Sequence, residues 1–208
     1  LKIDIHQSPQ EAEDNIKKLN FAFMFAPNYH SAMKYVGPAR KKMGKRTIFN
    51  LIGPLSSPAQ VKRQVVGVFE KKWMIPFAEA LKENNVTHAL IVHSKDGMDE
   101  ISPFEETNVV ELKYGKIKEF IISPKELGIE ASNKENLKGK NAEYNSEKIL
   151  EIYKGQLNEF SLSVALNTAA GLIVAGKEVN FKEALNKAKK HLESGEVFNH
   201  LTKLQSRS

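Results

Sequence analysis

Apolar and polar positions change rhythm several times along the chain, and each change marks an element. Ser8-Pro9-Gln10-Glu11 reads as a capping box with proline at the first helical position, which predicts a helix over residues 9–18, ended by Leu19-Asn20. The aromatic-rich run 21–25 predicts a buried strand. Residues 31–43 have helical composition, but Gly37-Pro38 interrupts them, and Pro38 suits the first position of a second short helix that carries Arg40 early. Residues 64–69 predict a strand, 72–83 an amphipathic helix with Pro76 near its start, and 87–93 another strand. Strand, helix, strand in that order implies a right-handed parallel crossover. Residues 108–113 and 116–122 flank Tyr114-Gly115 as the two arms of a hairpin.

Beyond Ser123-Pro124 the pattern turns helical, with helices predicted over 146–154, 161–175, 181–194 and 196–204. The segment 161–175 carries small residues at Ala165, Ala169 and Ala170 and few charges, so it should pack deeply. Residues 133–144 are polar and lysine-rich, which suits a surface loop. There is no internal repeat. These alternations predict one α/β domain over residues 1–208, a mixed, mostly parallel sheet flanked by helices.

Composition narrows the chemistry. With 208 residues and 41% hydrophobic content the chain can bury a sizeable core. It has no cysteine, which excludes disulfides, thiolate catalysis and zinc-thiolate sites and is in keeping with a reducing cytoplasm. The apolar stretch 162–174 is interrupted by Ser163, Asn167 and Thr168 and is too short to span a bilayer, so no membrane partner is expected. The first residue is Leu1, not methionine, and neither a signal nor a transit pattern follows it, so the chain is expected to be a piece of a longer one. A net charge of +6 permits attraction to phosphates. The excess is scattered over positions such as Lys187, Lys189 and Lys190 with no interleaved aromatic stripe, so a solvated surface is expected and no specific nucleic-acid partner.

Two stretches carry candidate chemistry. In the first, His30 and Arg40 precede Arg46-Thr47-Ile48-Phe49-Asn50-Leu51-Ile52-Gly53-Pro54-Leu55. An arginine fork grips a carboxylate in bidentate fashion and glycine lets the backbone approach a ligand, so this text suits a small, flat anion. In the second, Asp99-Glu100 follows the strand predicted at 87–93, at the end where α/β sheets place ligands. Adjacent hard oxygens suit magnesium. Each candidate also has a plainer role: His30 as a helix cap, Arg40 as one solvated cation beside Lys41 and Lys42, Gly53-Pro54 as a turn, Pro27 as a strand terminator, Asp99-Glu100 as loop carboxylates. His88, His93 and Asp96 read as structural or surface residues.

Taken together in order and spacing, Phe25-Ala26-Pro27, His30 with Ala32-Met33, Pro38-Ala39-Arg40, Arg46 to Leu51, Gly53-Pro54-Leu55, Gly97-Met98-Asp99-Glu100 and Asn167-Thr168-Ala169-Ala170 resemble bacterial anthranilate phosphoribosyltransferase. That resemblance implies the large domain of the nucleoside phosphorylase/phosphoribosyltransferase fold. It implies transfer of a phosphoribosyl group from phosphoribosyl pyrophosphate to the anthranilate amine in tryptophan biosynthesis, with magnesium as cofactor. It assigns Arg40 to the anthranilate carboxylate, Pro27, His30, Gly53 and Pro54 to the anthranilate channel, and Asp99 and Glu100 to magnesium on the pyrophosphate. No catalytic general base is nominated. The family's glycine-rich donor loop, its asparagine-serine-threonine segment and its lysine-histidine-glycine-asparagine motif are not in these residues. The chain is therefore expected to be a C-terminal portion, inactive alone, of an enzyme that is usually a homodimer. Two other readings remain: a pyrimidine nucleoside phosphorylase relative, which shares the general fold, and a catalytically silent relative that binds nucleic acid through its basic surface.

Overall fold

The computed structural model describes residues 1–30, 35, 42–44, 48–130 and 134–206. Contacts group the chain into two compact units, one of residues 1–58 with 198–208 and the other of residues 59–197.

In the first unit, α1 (Pro9–Leu19) forms as its text predicts. The Ser8 side chain accepts from the Glu11 N–H and the Glu11 carboxylate accepts from the Ser8 N–H, while Asn20 closes the helix in the left-handed conformation. Ala12 and Leu19 are its buried residues. The run 21–25 is not a strand. Phe21 and Phe23 are 41% and 46% exposed, the rings of Phe23 and Phe25 stack at 6.4 Å, and His6 meets Phe25 edge-on. The alternating aromatics thus pack on one another and on the N-terminal arm instead of joining a ladder. Pro27 consequently does not terminate a strand but lies in the first turn of a short helix, α2 (Ala26–Tyr29). A second short helix, α3 (Ile52–Leu55), contains Gly53 and Pro54. Gln205, in α8 (Glu196–Gln205), donates to the Leu1 carbonyl at 2.7 Å.

The second unit holds the sheet, β1 (Arg63–Gly67), β2 (His88–Ser94), β3 (Thr107–Lys113) and β4 (Lys116–Ile122), ordered 1-2-3-4. β1 and β2 are parallel, in register Arg63 with His88 through Gly67 with Val92, and are joined through α4 (Met74–Glu83), the predicted crossover. β2 with β3 and β3 with β4 are antiparallel, so the sheet is mixed as expected, with its parallel share confined to one pair among the described strands. The reason is connection length: the hairpin turn Tyr114-Gly115 has positive φ at both positions (47° and 78°), the geometry that matches strand twist, and needs no crossover helix.

Both faces of β2 are covered. Leu90 and Val92 point into a core shared with α6 (Glu159–Val174) and α7 (Phe181–Glu193), where Ala165, Leu166, Ala169 and Ala170 are wholly buried. Ala89 and Ile91 alternate to the opposite face and are equally buried, with α4 contacting β2 and β3. The expected surface loop over 133–144 is shorter than predicted. Lys134–Leu137 forms a 3-10 turn, and Asn141 accepts from the Tyr144 N–H to start α5 (Ala142–Tyr153). No helix among the described residues is long and apolar enough to cross a membrane.

Candidate active site

At the carboxyl ends of the parallel strands β1 and β2, the second unit opens a cavity of about 490 Å³. Its walls are Val65 and Gly67 of β1, Val92 of β2, Asp99 and Glu100 of the following loop, and Ser163, Val164, Asn167 and Thr168 along α6. Crevices at this end of parallel strands are where open α/β sheets bind ligands. The two acids are exposed at the cavity while the loop beneath them is fixed.

That loop is built from its own sequence. Ser94, Ser102 and Thr107 are wholly buried. Ser94 N–H donates to the Met98 carbonyl, Met98 N–H to Asp96 Oδ1 at 3.1 Å, Ser102 Oγ to Asp96 Oδ2 at 2.8 Å, and Ser102 N–H to Thr107 Oγ1 at 3.1 Å. Burial alone would raise the Asp96 pKa. The hydrogen bonds from Ser102, Met98 and Ser94, with the nearby Lys134 ammonium, outweigh it and hold the carboxyl below the usual aspartate value. Asp96, expected to be a structural or surface residue, is the keystone of the turn, its side chain only 7% exposed.

Two further residues hold the loop from outside. A Cβ placed on Gly67 would lie 1.6 Å from the Asp99 carbonyl oxygen, so only glycine allows the loop to cross the end of β1. From α6, Asn167 Oδ1 accepts from the Ile101 N–H at 3.0 Å, and its Nδ2 donates to the Ile101 carbonyl at 3.3 Å and the Ser163 carbonyl at 2.9 Å. Neither role was assigned from sequence. The available signals were a glycine directly after the apolar pair Val65-Val66 and an amide in a helix of small apolar residues.

The remaining candidates lie elsewhere in the chain. Pro27 is exposed in α2, half-buried His30 closes that helix with its N–H donating to the Ala26 carbonyl at 3.0 Å, and Gly53 and Pro54 are exposed in α3. All four belong to the first unit. Arg40 lies outside the described residues.

The donor set at the cavity fits magnesium. Among the described residues no group of three or more His, Cys, Asp or Glu side chains is arranged to hold an ion. A cation here would have two adjacent carboxylates and otherwise water or ligand oxygens, which is how magnesium commonly binds beside a phosphorylated substrate.

Comparison with known proteins agrees with this architecture. Residues 1–198 match the model of the glycosyl transferase family, a/b domain. The chain is 56% identical over 206 residues to the anthranilate phosphoribosyltransferase of Pelagibacter ubique, covering 99% of itself and 62% of that relative. The crystal structure of the Thermus thermophilus anthranilate phosphoribosyltransferase superposes with a TM-score of 0.90 at 36% identity, over 99% of this chain and 61% of that one. The Saccharomyces cerevisiae anthranilate phosphoribosyltransferase in complex with phosphoribosyl pyrophosphate and magnesium matches at 0.85 and 25% identity, over 99% of this chain and 59% of that one. Its complex with 4-fluoroanthranilate matches at 0.84 and 25%, over 99% and 60%. The chain thus spans about three fifths of the length of these relatives. With a match that runs from residue 1 to residue 198, it belongs to the glycosyl transferase family through that family's a/b domain.

Proposed function

We propose that this chain is part of an anthranilate phosphoribosyltransferase, transferring the phosphoribosyl group of phosphoribosyl pyrophosphate to the anthranilate amine with release of pyrophosphate, a step of tryptophan biosynthesis. The observation that carries this reading is the Asp99-Glu100 pair, set on a fixed loop at the cavity beyond the parallel strands. It is supported by 56% identity to a relative of that name, and by the magnesium and phosphoribosyl pyrophosphate bound in the yeast neighbour.

The chemistry asks for little more than positioning and charge neutralisation. Anthranilate's amine is a weak nucleophile, so the anomeric bond loosens early and negative charge gathers on the leaving pyrophosphate. Bound magnesium would supply Lewis-acid neutralisation of that charge. Asp99 and Glu100 would hold it, leaving its other positions to phosphate oxygens and water. Arg40 would clasp the anthranilate carboxylate, and Pro27, His30, Gly53 and Pro54 would line the channel that aims the amine. No protein nucleophile or general base is needed. The enzyme is proposed to work in the cytoplasm as a homodimer. The similarities to phosphoribosyltransferases favour this reading over a pyrimidine nucleoside phosphorylase relative or a silent nucleic-acid-binding relative.

The test is turnover by the protein extended to the full length of its relatives. Given both substrates and magnesium, it should form pyrophosphate and consume anthranilate, and no turnover would reject the reading. In that protein Arg40→Ala should raise the anthranilate KM at least tenfold more than the KM for phosphoribosyl pyrophosphate, the scale expected for losing a charge-assisted bidentate contact. Equal rises would reject the role given to Arg40.

A further inference from the structure

Asn167 stands on a helix beside Ala165, Leu166, Ala169 and Ala170, which are apolar and wholly buried. An asparagine gains nothing from such a neighbourhood unless its amide is used, and here both ends are. The oxygen takes the N–H of Ile101 and the nitrogen gives to the carbonyl of the same residue, with a third bond to Ser163. Reading the donor and the acceptor of one residue together is specific for register: a loop shifted by one position would forfeit both bonds. Ile101 is itself wholly buried and is the immediate neighbour of Glu100. On the other side, the backbone of Asp99 rests against Gly67.

We infer that Asn167 is the positioning residue of the acidic loop, fixing through Ile101 where the Asp99 and Glu100 carboxylates stand at the cavity. The inference rests on the proposed metal role of those two acids. Groups that orient metal-binding side chains without touching the ion commonly matter about 10–100-fold in metal affinity when removed.

The experiment measures Mn2+ binding in the presence of pyrophosphate, from the free-ion electron paramagnetic resonance signal, on the full-length protein and on Asn167→Ala, Asn167→Leu and Asp99→Asn. Leucine fills nearly the same volume without polar atoms, so it separates the amide's bonds from its bulk. Hydrogen exchange at the Ile101 amide is followed in parallel, and thermal unfolding shows each variant folded at the working temperature. Both Asn167 variants should bind Mn2+ about 10–100-fold more weakly and exchange Ile101 faster while remaining folded. If Asp99→Asn weakens Mn2+ binding and the Asn167 variants do not, the positioning role is overturned while the metal reading stands. If Asp99→Asn changes nothing, the metal reading fails and the inference falls with it. Failure of both Asn167 variants to fold would also overturn the inference, since the residue would then serve the fold as a whole.

Discussion

At Gly67 a missing side chain decides where a loop can run. The Asp99 carbonyl occupies the space a Cβ would need, and because the neighbour is backbone no rotamer change can relieve the overlap. Gly67→Ala should therefore push the loop off the end of β1, destabilising the fold by about 1–3 kcal/mol as overpacking does. In the full-length protein it should also raise the magnesium requirement. Urea unfolding and a magnesium titration of activity check both, and a variant unchanged in either would mean that the close approach has no consequence. The acids themselves were legible in the text because Asp99-Glu100 is a local pair after a predicted strand. The residues that aim them were not. Asn167 meets Ile101 from 66 positions further along the chain, and Gly67 matters only because of a loop that the sequence cannot bring to it.

Elements were readable where a local signal agreed with the environment the fold supplies. The capping box of α1, the crossover through α4 and the Tyr114-Gly115 hairpin all formed as their residues predict. The aromatic run 21–25 has strand rhythm without a ladder partner, so ring contacts took over. Helix α6 starts at Glu159 rather than 161, because Asn158 and Ser161 cap each other's N–H groups and Ser161 is the third helical residue instead of the first. The loop between β2 and β3 is an element in its own right, and its keystone titrates. With its folded pKa held below the usual value of about 3.9, Asp96 contributes stability that is fully present above that value and disappears as pH falls through the folded pKa. Asp96→Asn should therefore be less stable than the parent at pH 7, with the gap narrowing as the buffer is taken below pH 4. Chemical denaturation across that range checks it, and a gap independent of pH would contradict the assignment.

For the whole molecule, α6 links stability to function: one side of it fills the core against the sheet and α7, while Ser163, Val164, Asn167 and Thr168 border the cavity. Small side chains at Ala169 and Ala170 let the helix lie close on its neighbours, so Ala169→Leu should cost about 1–3 kcal/mol in urea unfolding. An unchanged midpoint would show that the contact is looser than its burial implies. What the fold provides at this end of the sheet is a fixed loop carrying two exposed carboxylates, and the proposed chemistry asks those carboxylates to hold the metal of a departing pyrophosphate. The most direct test is the magnesium dependence of turnover in the full-length protein carrying Asp99→Asn with Glu100→Gln. The account predicts a half-saturating magnesium concentration raised at least about tenfold, with the fold intact. A magnesium dependence indistinguishable from the parent's would contradict it.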